Sequence, residues 1–256
     1  MLAVDSHIDS LVFCGVQIVS LGPQVKLDPP LQQAVLLRRY KRFLADIETP
    51  SGETFTIHCS NTGSMKNCWV ENTPCWYSDS GNPKRKYRHT LEVTTTPEGA
   101  LAGVNTGRAN DLVEEAIARG VVAELAGYDC LRREVRYGDE NSRIDLLLQG
   151  AAGDCYVEVK NVTLAEGCRG LFPDAVSSRG AKHLRELRKL AASGVRAVLF
   201  YCVQHTGIET VEAAREIDPA YAGALDEAVA AGVEVLAYRA SINADEIALR
   251  EAIPFR

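Results

Sequence analysis

Apolar and polar residues alternate in short runs over residues 31–104 and in longer mixed periods over residues 105–256, and this change of rhythm divides the chain. Lys41–Thr49 alternates weakly, with Phe43, Ala45 and Ile47 on one face and Leu44, Asp46 and Glu48 on the other. Pro50-Ser51-Gly52 turns the chain. Glu53–Cys59 then alternates with Phe55 and Ile57 on one face, which predicts a hairpin. Cys75–Ser78 and Tyr87–Thr96 are further expected strands, with a turn at Ser80-Gly81-Asn82-Pro83. Four or five short strands in about 70 residues predict a small β-barrel of the OB type.

The rhythm then changes to helix alternating with strand. Asn110–Arg119 predicts a helix with Leu112, Val113, Ala116 and Ile117 on one face and Gly120 ending it. Arg143–Gln149 and Cys155–Asn161 predict strands, Ser177–Ala192 a second helix, and Arg196–Val203 an apolar strand buried on both faces. Asp218–Ala231 is a third expected helix, followed by a strand at Val233–Tyr238. The expected fold is a two-domain α+β/α/β chain. An OB-like barrel over 31–104 precedes an α/β domain with a mixed sheet over 105–256. Residues 1–30 are poor in Lys and Arg and end in Asp28-Pro29-Pro30, so they are expected to form an N-terminal extension with an extended linker.

Composition narrows the class without changing the fold. The chain has 256 residues, of which 46% are hydrophobic and 24% charged, which excludes a disordered tail protein and a disulfide miniprotein. The apolar run Leu11–Leu21 is broken by Cys14-Gly15, Gln17 and Ser20 and lacks a preceding basic residue, so neither a membrane span nor a signal peptide is expected. No two of the eight cysteines are spaced C-x-x-C, and free thiols in the cytoplasm are expected. The net charge of −6 is unevenly spread. Residues 31–100 hold nine basic and seven acidic residues and form the basic stretch of an acidic chain.

The chemistry concentrates in Ser142-Arg143-Ile144-Asp145 and Tyr156-Val157-Glu158-Val159-Lys160. Strand periodicity puts Glu158 and Lys160 on one face and Val157 and Val159 on the other. A hairpin closed by Gln149–Asp154 would bring Asp145 beside Glu158, with Lys160 next to both. Two carboxylates at that separation suit Mg²⁺ or Mn²⁺, with Lys160 orienting a water or meeting developing charge. The competing reading is a solvated surface of mixed charge. Against it, Glu158 and Lys160 interrupt an apolar strand, where burial of an unpartnered charge is costly.

Two basic clusters with interleaved aromatics lie in the β domain, Arg38-Arg39-Tyr40-Lys41-Arg42-Phe43 and Lys84-Arg85-Lys86-Tyr87-Arg88-His89. Arg39, Tyr40, Lys41, Arg42, Lys84, Arg85 and Lys86 are the expected nucleic-acid contacts, because OB surfaces hold strands with cations and stacking rings. A third cluster, Arg179–Lys189, adds Arg179, Lys182 and His183 as expected contacts to flanking phosphates, with Arg143 beside Asp145. Nothing resembles a base-reading helix, so a nucleic-acid partner, expected to be DNA, would be held with low sequence specificity. Asn61-Thr62-Gly63-Ser64 reads as a turn, either structural or in contact with phosphate.

Asp145 followed by Glu158-Val159-Lys160, after a helix bearing Glu114-Glu115, resembles the PD-(D/E)xK nuclease superfamily, although Ile144 stands where that motif has proline. A wider set of motifs is more specific. Arg39-Tyr40-Lys41-Arg42-Phe43-Leu44-Ala45-Asp46, His58-Cys59-Ser60-Asn61-Thr62-Gly63-Ser64-Met65, Ser142–Asp145, Glu158–Leu164, Phe172-Pro173-Asp174-Ala175-Val176 and Arg179-Gly180-Ala181-Lys182-His183-Leu184 together resemble the sugar fermentation stimulation protein (SfsA) family. The resemblance implies an OB-like domain followed by a nuclease-like domain, DNA binding, and a regulatory link to sugar (maltose) utilisation. It places Asp145, Glu158 and Lys160 in the nuclease-like core, with Asp145 and Glu158 as metal ligands. It makes Glu115 the helix acid, while the helical wheel does not choose between Glu114 and Glu115. The expected function is a DNA-binding regulator that carries a divalent-metal-dependent nuclease site. The alternatives are an endonuclease acting mainly on DNA or RNA, and a non-catalytic interaction module.

Overall fold

A strand that the alternation does not reveal opens the barrel. In the computed structural model, which describes Leu27, residues 29–140 and residues 142–256, β1 spans Gln32–Tyr40. Its pairing with β2 (Leu44–Glu48) shifts register between Leu36 and Arg38. A bulge of this kind breaks the period of two, which is why Leu36-Leu37 and Arg38-Arg39 do not read as a strand. Lys41 and Arg42 then adopt positive φ in a tight turn. Strand β2 therefore starts at Leu44, and Phe43 is left exposed instead of joining the apolar face expected for it.

The barrel continues through β3 (Thr54–Cys59), β4 (Thr73–Asp79), β5 (His89–Thr95) and β6 (Leu101–Gly103). The strand order is β3-β2-β1-β4-β5-β6, and a parallel pairing of β3 with β5 closes five strands into the OB barrel. Leu36, Ile47, Ile57, Met65 and Leu91 fill it. The hairpin expected between Lys41–Thr49 and Glu53–Cys59 is the β2–β3 pair.

The second half begins with α1 (Ala109–Ala118) and continues through β7 (Cys130–Tyr137), β8 (Ser142–Gly150), β9 (Gly153–Val162), β10 (Leu164–Glu166) and β11 (Arg169–Phe172). Then follow α2 (Ser178–Ala192), β12 (Arg196–Val203), β13 (Thr210–Ala213), α3 (Pro219–Ala230), β14 (Glu234–Ile242) and β15 (Ile247–Ala252). The main sheet is mixed, with order β15-β14-β12-β9-β8-β7, and β9, β12 and β14 run parallel. Strands β10, β11 and β13 form a small separate sheet.

Strand β12 shows how the layers arise. Val198, Phe200 and Cys202 enter the core shared with α1. Ala197, Leu199, Tyr201 and Val203 enter the core shared with α2 and α3. A strand apolar from Ala197 to Val203 therefore sits at the centre of a sheet covered on both faces. Strand β7 escapes a pattern reading for the opposite reason. It is an edge strand, rich in Arg and Glu and largely exposed, as edge strands commonly are.

Most of the expected N-terminal extension lies outside the described residues, except Leu27, Pro29 and Pro30. Leu27 and Leu31 are buried, and their N–H groups donate to Asp245 and Ala244 in the turn between β14 and β15. Among the described residues the cysteines are free, and no helix is long and apolar enough to cross a membrane.

The two halves are joined where β6 meets the end of β12. Gly103 N donates to Gln204 O, and Thr206 N donates to Leu101 O. A Cβ on Gly103 would lie 2.7 Å from Gln204 Oε1, so a side chain there would displace the buried Gln204 side chain. His205 is buried in this seam, and burial lowers its pKa to about 4, against a weaker raising effect of Glu98. A histidine whose pKa is depressed on folding favours the fold above its ordinary value near 6.5, and that contribution is lost as pH falls toward 4. Between pH 7 and pH 4, His205 is expected to cost on the order of 3 kcal/mol of stability. Urea unfolding of wild type and His205→Gln at both pH values measures this. The variant should show the smaller acid loss, and equal losses would remove His205 as the cause.

Candidate functional site

Strands β8 and β9 pair from Gly150↔Gly153 back to Leu146↔Val157. One residue further, the carboxylate of Asp145 takes the place of a backbone acceptor, and its Oδ2 receives the N–H of Val159 at 2.8 Å. The parting of the two strands thus turns Asp145 toward Glu158. Asn110, in the first turn of α1, donates Nδ2 to Asp145 Oδ1 at 3.1 Å.

Glu158 faces the α2 side of β9, opposite to Val157 and Val159, which enter the α1 core. Its side chain is 1% exposed. Lys160 Nζ lies 2.6 Å from Glu158 Oε1, and His183 Nδ1 bonds to the same oxygen. Glu158 Oε2 is buried and has no hydrogen-bond partner among the described residues.

Helix α2 delivers His183 because its start is fixed. The Ser177 side chain caps it by accepting from Gly180 N, and Ser177 N donates to Asp218 Oδ2 at 2.7 Å. A Cβ on Gly180 would sit 3.0 Å from the Tyr221 ring, so a side chain there would press α2 away from α3. Arg179 Nε donates to His183 Nε2 at 3.4 Å.

The two carboxylates differ in proton affinity. Burial first, and the nearby Glu158 charge second, push Asp145 above the usual carboxylate range, against the pull of Val159 N–H, Lys160 and Asn110. Burial also opposes the Glu158 charge, but Lys160 and the bond from His183 outweigh it and hold Glu158 below the usual range. Protons taken up by the pair therefore go first to Asp145.

These groups line a cleft of about 510 Å³ that also includes Asn61, Thr62 and Gly63 from the barrel, together with Asp174 and Arg179. The barrel loop is held in place by the first basic cluster. Arg39 Nη2 donates to Asn61 O, Gly63 O and Arg42 O at 2.8–3.0 Å, and Arg42 Nε donates to Thr62 O at 2.9 Å. Ser64 N and Oγ donate to Asp174 Oδ2 at 3.1 Å, which ties the barrel loop to the second half. A Cβ on Gly63 would fall 2.6 Å from that carboxylate oxygen, so a side chain there would displace the Asp174 carboxylate from Ser64.

The structure therefore brings together Asp145, Glu158, Lys160, Arg179 and His183 and separates the other expected residues from them. Glu115 does not line the cleft. It pairs with Arg119 at 3.0 Å, and Glu114 pairs with Arg133 at 2.7 Å. The physical reason is helical geometry. The helix position beside Asp145 is Asn110, and five residues further along the axis has risen about 7.5 Å and turned well away.

Lys182 and Arg143 are also outside the cleft lining. Lys182 Nζ bonds to Glu140 O, and Arg143 is exposed on β8 opposite Arg136. Arg185, Arg188 and Lys189 of the same cluster are engaged with Glu140, Glu227, and Asp139 and Glu186. Arg39 and Arg42 act on the loop. Tyr40 donates its hydroxyl to Asp46, and Lys41 is exposed in the turn. Lys84, Arg85 and Lys86 are exposed in the β4–β5 loop and do not line the cleft.

Sequence reading missed Asn110 and the part played by Asp174. Only the second carried a signal, as the acid within Phe172–Val176.

Family models match both halves of the chain. One described as "Sugar fermentation stimulation protein RE domain" covers residues 107–246, and one described as "SfsA N-terminal OB domain" covers residues 37–104. A sugar fermentation stimulation protein homolog of Teredinibacter turnerae is 64% identical over 89% of this chain and 97% of its own length. One from Shewanella baltica is 57% identical over 91% of this chain and 100% of its own. Among solved structures, Pyrococcus furiosus SfsA in complex with Ca²⁺ superposes with a TM-score of 0.79 at 28% identity, covering 89% of this chain and 96% of that one. The chain belongs to the sugar fermentation stimulation protein family.

Proposed function

We propose that this protein binds nucleic acid and hydrolyses its phosphodiester bonds at a divalent-cation site formed by Asp145 and Glu158. The observation that carries the reading is the buried Oε2 of Glu158, unpartnered among the described residues, beside the half-buried carboxylate of Asp145. A polar atom in that state is costly unless something fills its coordination. The donors are hard oxygens, which fit Mg²⁺ or Mn²⁺. Among the described residues no three or more His, Cys, Asp or Glu side chains are grouped so as to hold a metal ion by themselves, so the protein would supply two carboxylates and leave the remaining positions to water and substrate oxygens. The Ca²⁺ held by the Pyrococcus furiosus relative supports a divalent cation in this family.

A bound cation would supply an acidified water and offset charge at phosphorus. The chain's own residues supply the rest. Asn110 and Val159 N–H fix the orientation of Asp145. Lys160 is placed to orient a nucleophile or meet developing negative charge at the phosphate. Arg179 lines the cleft as a cation for a flanking phosphate, and the Asn61–Gly63 loop forms the wall contributed by the barrel. The partner is DNA held with low sequence specificity.

Cleavage of end-labelled single- and double-stranded DNA and RNA, with Mg²⁺, Mn²⁺ or EDTA, tests the proposal. Cation-dependent products from wild type that disappear with Lys160→Ala are expected. Binding without cleavage in either cation would favour the regulator without catalysis.

A further inference from the structure

We propose that His183 is a positioning residue that makes Glu158 a one-oxygen cation ligand, and that Arg179 sets the tautomer in which it does so. The inference rests on the cation-holding reading of Asp145 and Glu158. Its starting point is an asymmetry. Glu158 Oε1 carries two neighbours, Lys160 Nζ and His183 Nδ1, while Oε2 of the same carboxylate carries none among the described residues. A buried carboxylate normally spreads donors over both oxygens, because each unsatisfied acceptor keeps its desolvation cost.

The direction of the histidine bond follows from Arg179. An arginine side chain has donors only, so Nε2 of His183 is the acceptor of the Arg179 Nε contact. The ring proton of neutral His183 is then on Nδ1 and is donated to Oε1. Were the proton on Nε2, two lone pairs would face each other at Nδ1 and Oε1, and Arg179 would meet an N–H. Residues 179 and 183 are one helical turn apart on α2, so one face of the helix presents both members of the relay.

The ring has no room to serve another purpose. His183 is 5% exposed, both its nitrogens are engaged, and α2 is fixed at its start by Ser177 and Asp218. In this tautomer His183 has no free donor to offer a phosphate. The order is the reverse of a metal-bound histidine steered by an outer carboxylate. Here an outer histidine steers a carboxylate, and loss of such outer partners typically weakens metal affinity about 10–100-fold.

Two measurements on the full chain test the proposal. The first is long-range ¹⁵N–¹H NMR of the chelator-treated protein. The His183 ring is expected as the Nδ1–H tautomer, and an Nε2–H ring would overturn the relay whether or not a cation binds. The second is calorimetric titration with Mn²⁺. His183→Leu is expected to weaken Mn²⁺ binding about 10–100-fold. His183→Asn keeps an N–H donor near the Nδ1 position and is expected to stay within about threefold of wild type, with Arg179→Met falling between the two. Unchanged affinity in His183→Leu, or equal losses in the Leu and Asn variants, would overturn the positioning role. If the Leu variant does not fold, near-wild-type binding by the Asn variant with a loss in Arg179→Met supports the proposal, and the opposite pattern overturns it. No Mn²⁺ uptake by wild type defeats the cation site itself and this role with it, while the tautomer result stands separately.

Discussion

Asp145→Asn is expected to lower cleavage by on the order of 10³ or more and at the same time to raise the melting temperature of the cation-free protein. The two effects share one cause. Burial and the Glu158 charge push the Asp145 carboxyl above the usual range in the fold. A carboxyl whose pKa is raised on folding binds its proton more tightly folded than unfolded. Its contribution favours the fold in acid and turns against it as pH rises through the folded pKa. At pH 7 the charge is therefore a cost to the empty site. Asparagine removes that charge, keeps an acceptor for Val159 N–H, and can still bond to Asn110. Thermal unfolding in EDTA at pH 7 and pH 4 should show Asp145→Asn more stable than wild type at pH 7, with the gap shrinking at pH 4. A less stable variant at pH 7 would mean that the carboxylate serves the fold and is not held against it.

The second large effect is structural and lies at the junction. Glu92 on β5 is 1% exposed and accepts from Ser78 Oγ at 2.6 Å, Asn105 Nδ2 at 3.0 Å, and Arg108 Nε and Nη2 at 2.5 and 2.9 Å. It ties the barrel to the segment that starts α1. Glu92→Ala leaves the Arg108 guanidinium without its bidentate partner, in a half of the network that is mostly buried. Breaking a buried pair from one side costs about 3–5 kcal/mol. For a chain of this size that corresponds to a fall in melting temperature of roughly 10 °C. Removing both charges with Glu92→Leu and Arg108→Met should recover part of the loss, because no buried charge is then abandoned. Cleavage by Glu92→Ala should fall as well, since α1 carries the Asn110 that orients Asp145. Full activity in the folded variant would separate the junction from the site.

How much of this was legible in the sequence differs element by element. Strand β12 and helix α2 were plain, because a fully apolar strand and a capped amphipathic helix each have one dominant pattern. Strand β1 was hidden by its bulge, and β7 by its exposed edge position. Asp145, Glu158 and Lys160 could be read as neighbours because strand periodicity and one short hairpin relate them.

Residues that meet across distant elements could not be read so directly. Asn110 and Glu115 both lie on α1, but the crossing of α1 over the sheet chooses between them, and no local pattern encodes that crossing. Two of the basic clusters also do structural work that no local pattern encodes. Clustered cations read as ligands for an anion, yet Arg39 and Arg42 satisfy backbone carbonyls of the Asn61–Gly63 loop. The cations after Arg179 are occupied by acids and by a carbonyl. Their contribution to the site is indirect, through the shape of the loop and the seating of α2.

Asp145 and Glu158 are proposed to hold a divalent cation together, through the Glu158 oxygen that has no partner among the described residues. Anomalous diffraction from crystals of the full chain grown with Mn²⁺ tests it most directly. A peak is expected within coordination distance of both the Asp145 carboxylate and Glu158 Oε2, and is expected to be absent in Glu158→Gln. Ordered crystals in Mn²⁺ with no peak in the cleft, or a peak bound only to other residues, would contradict it.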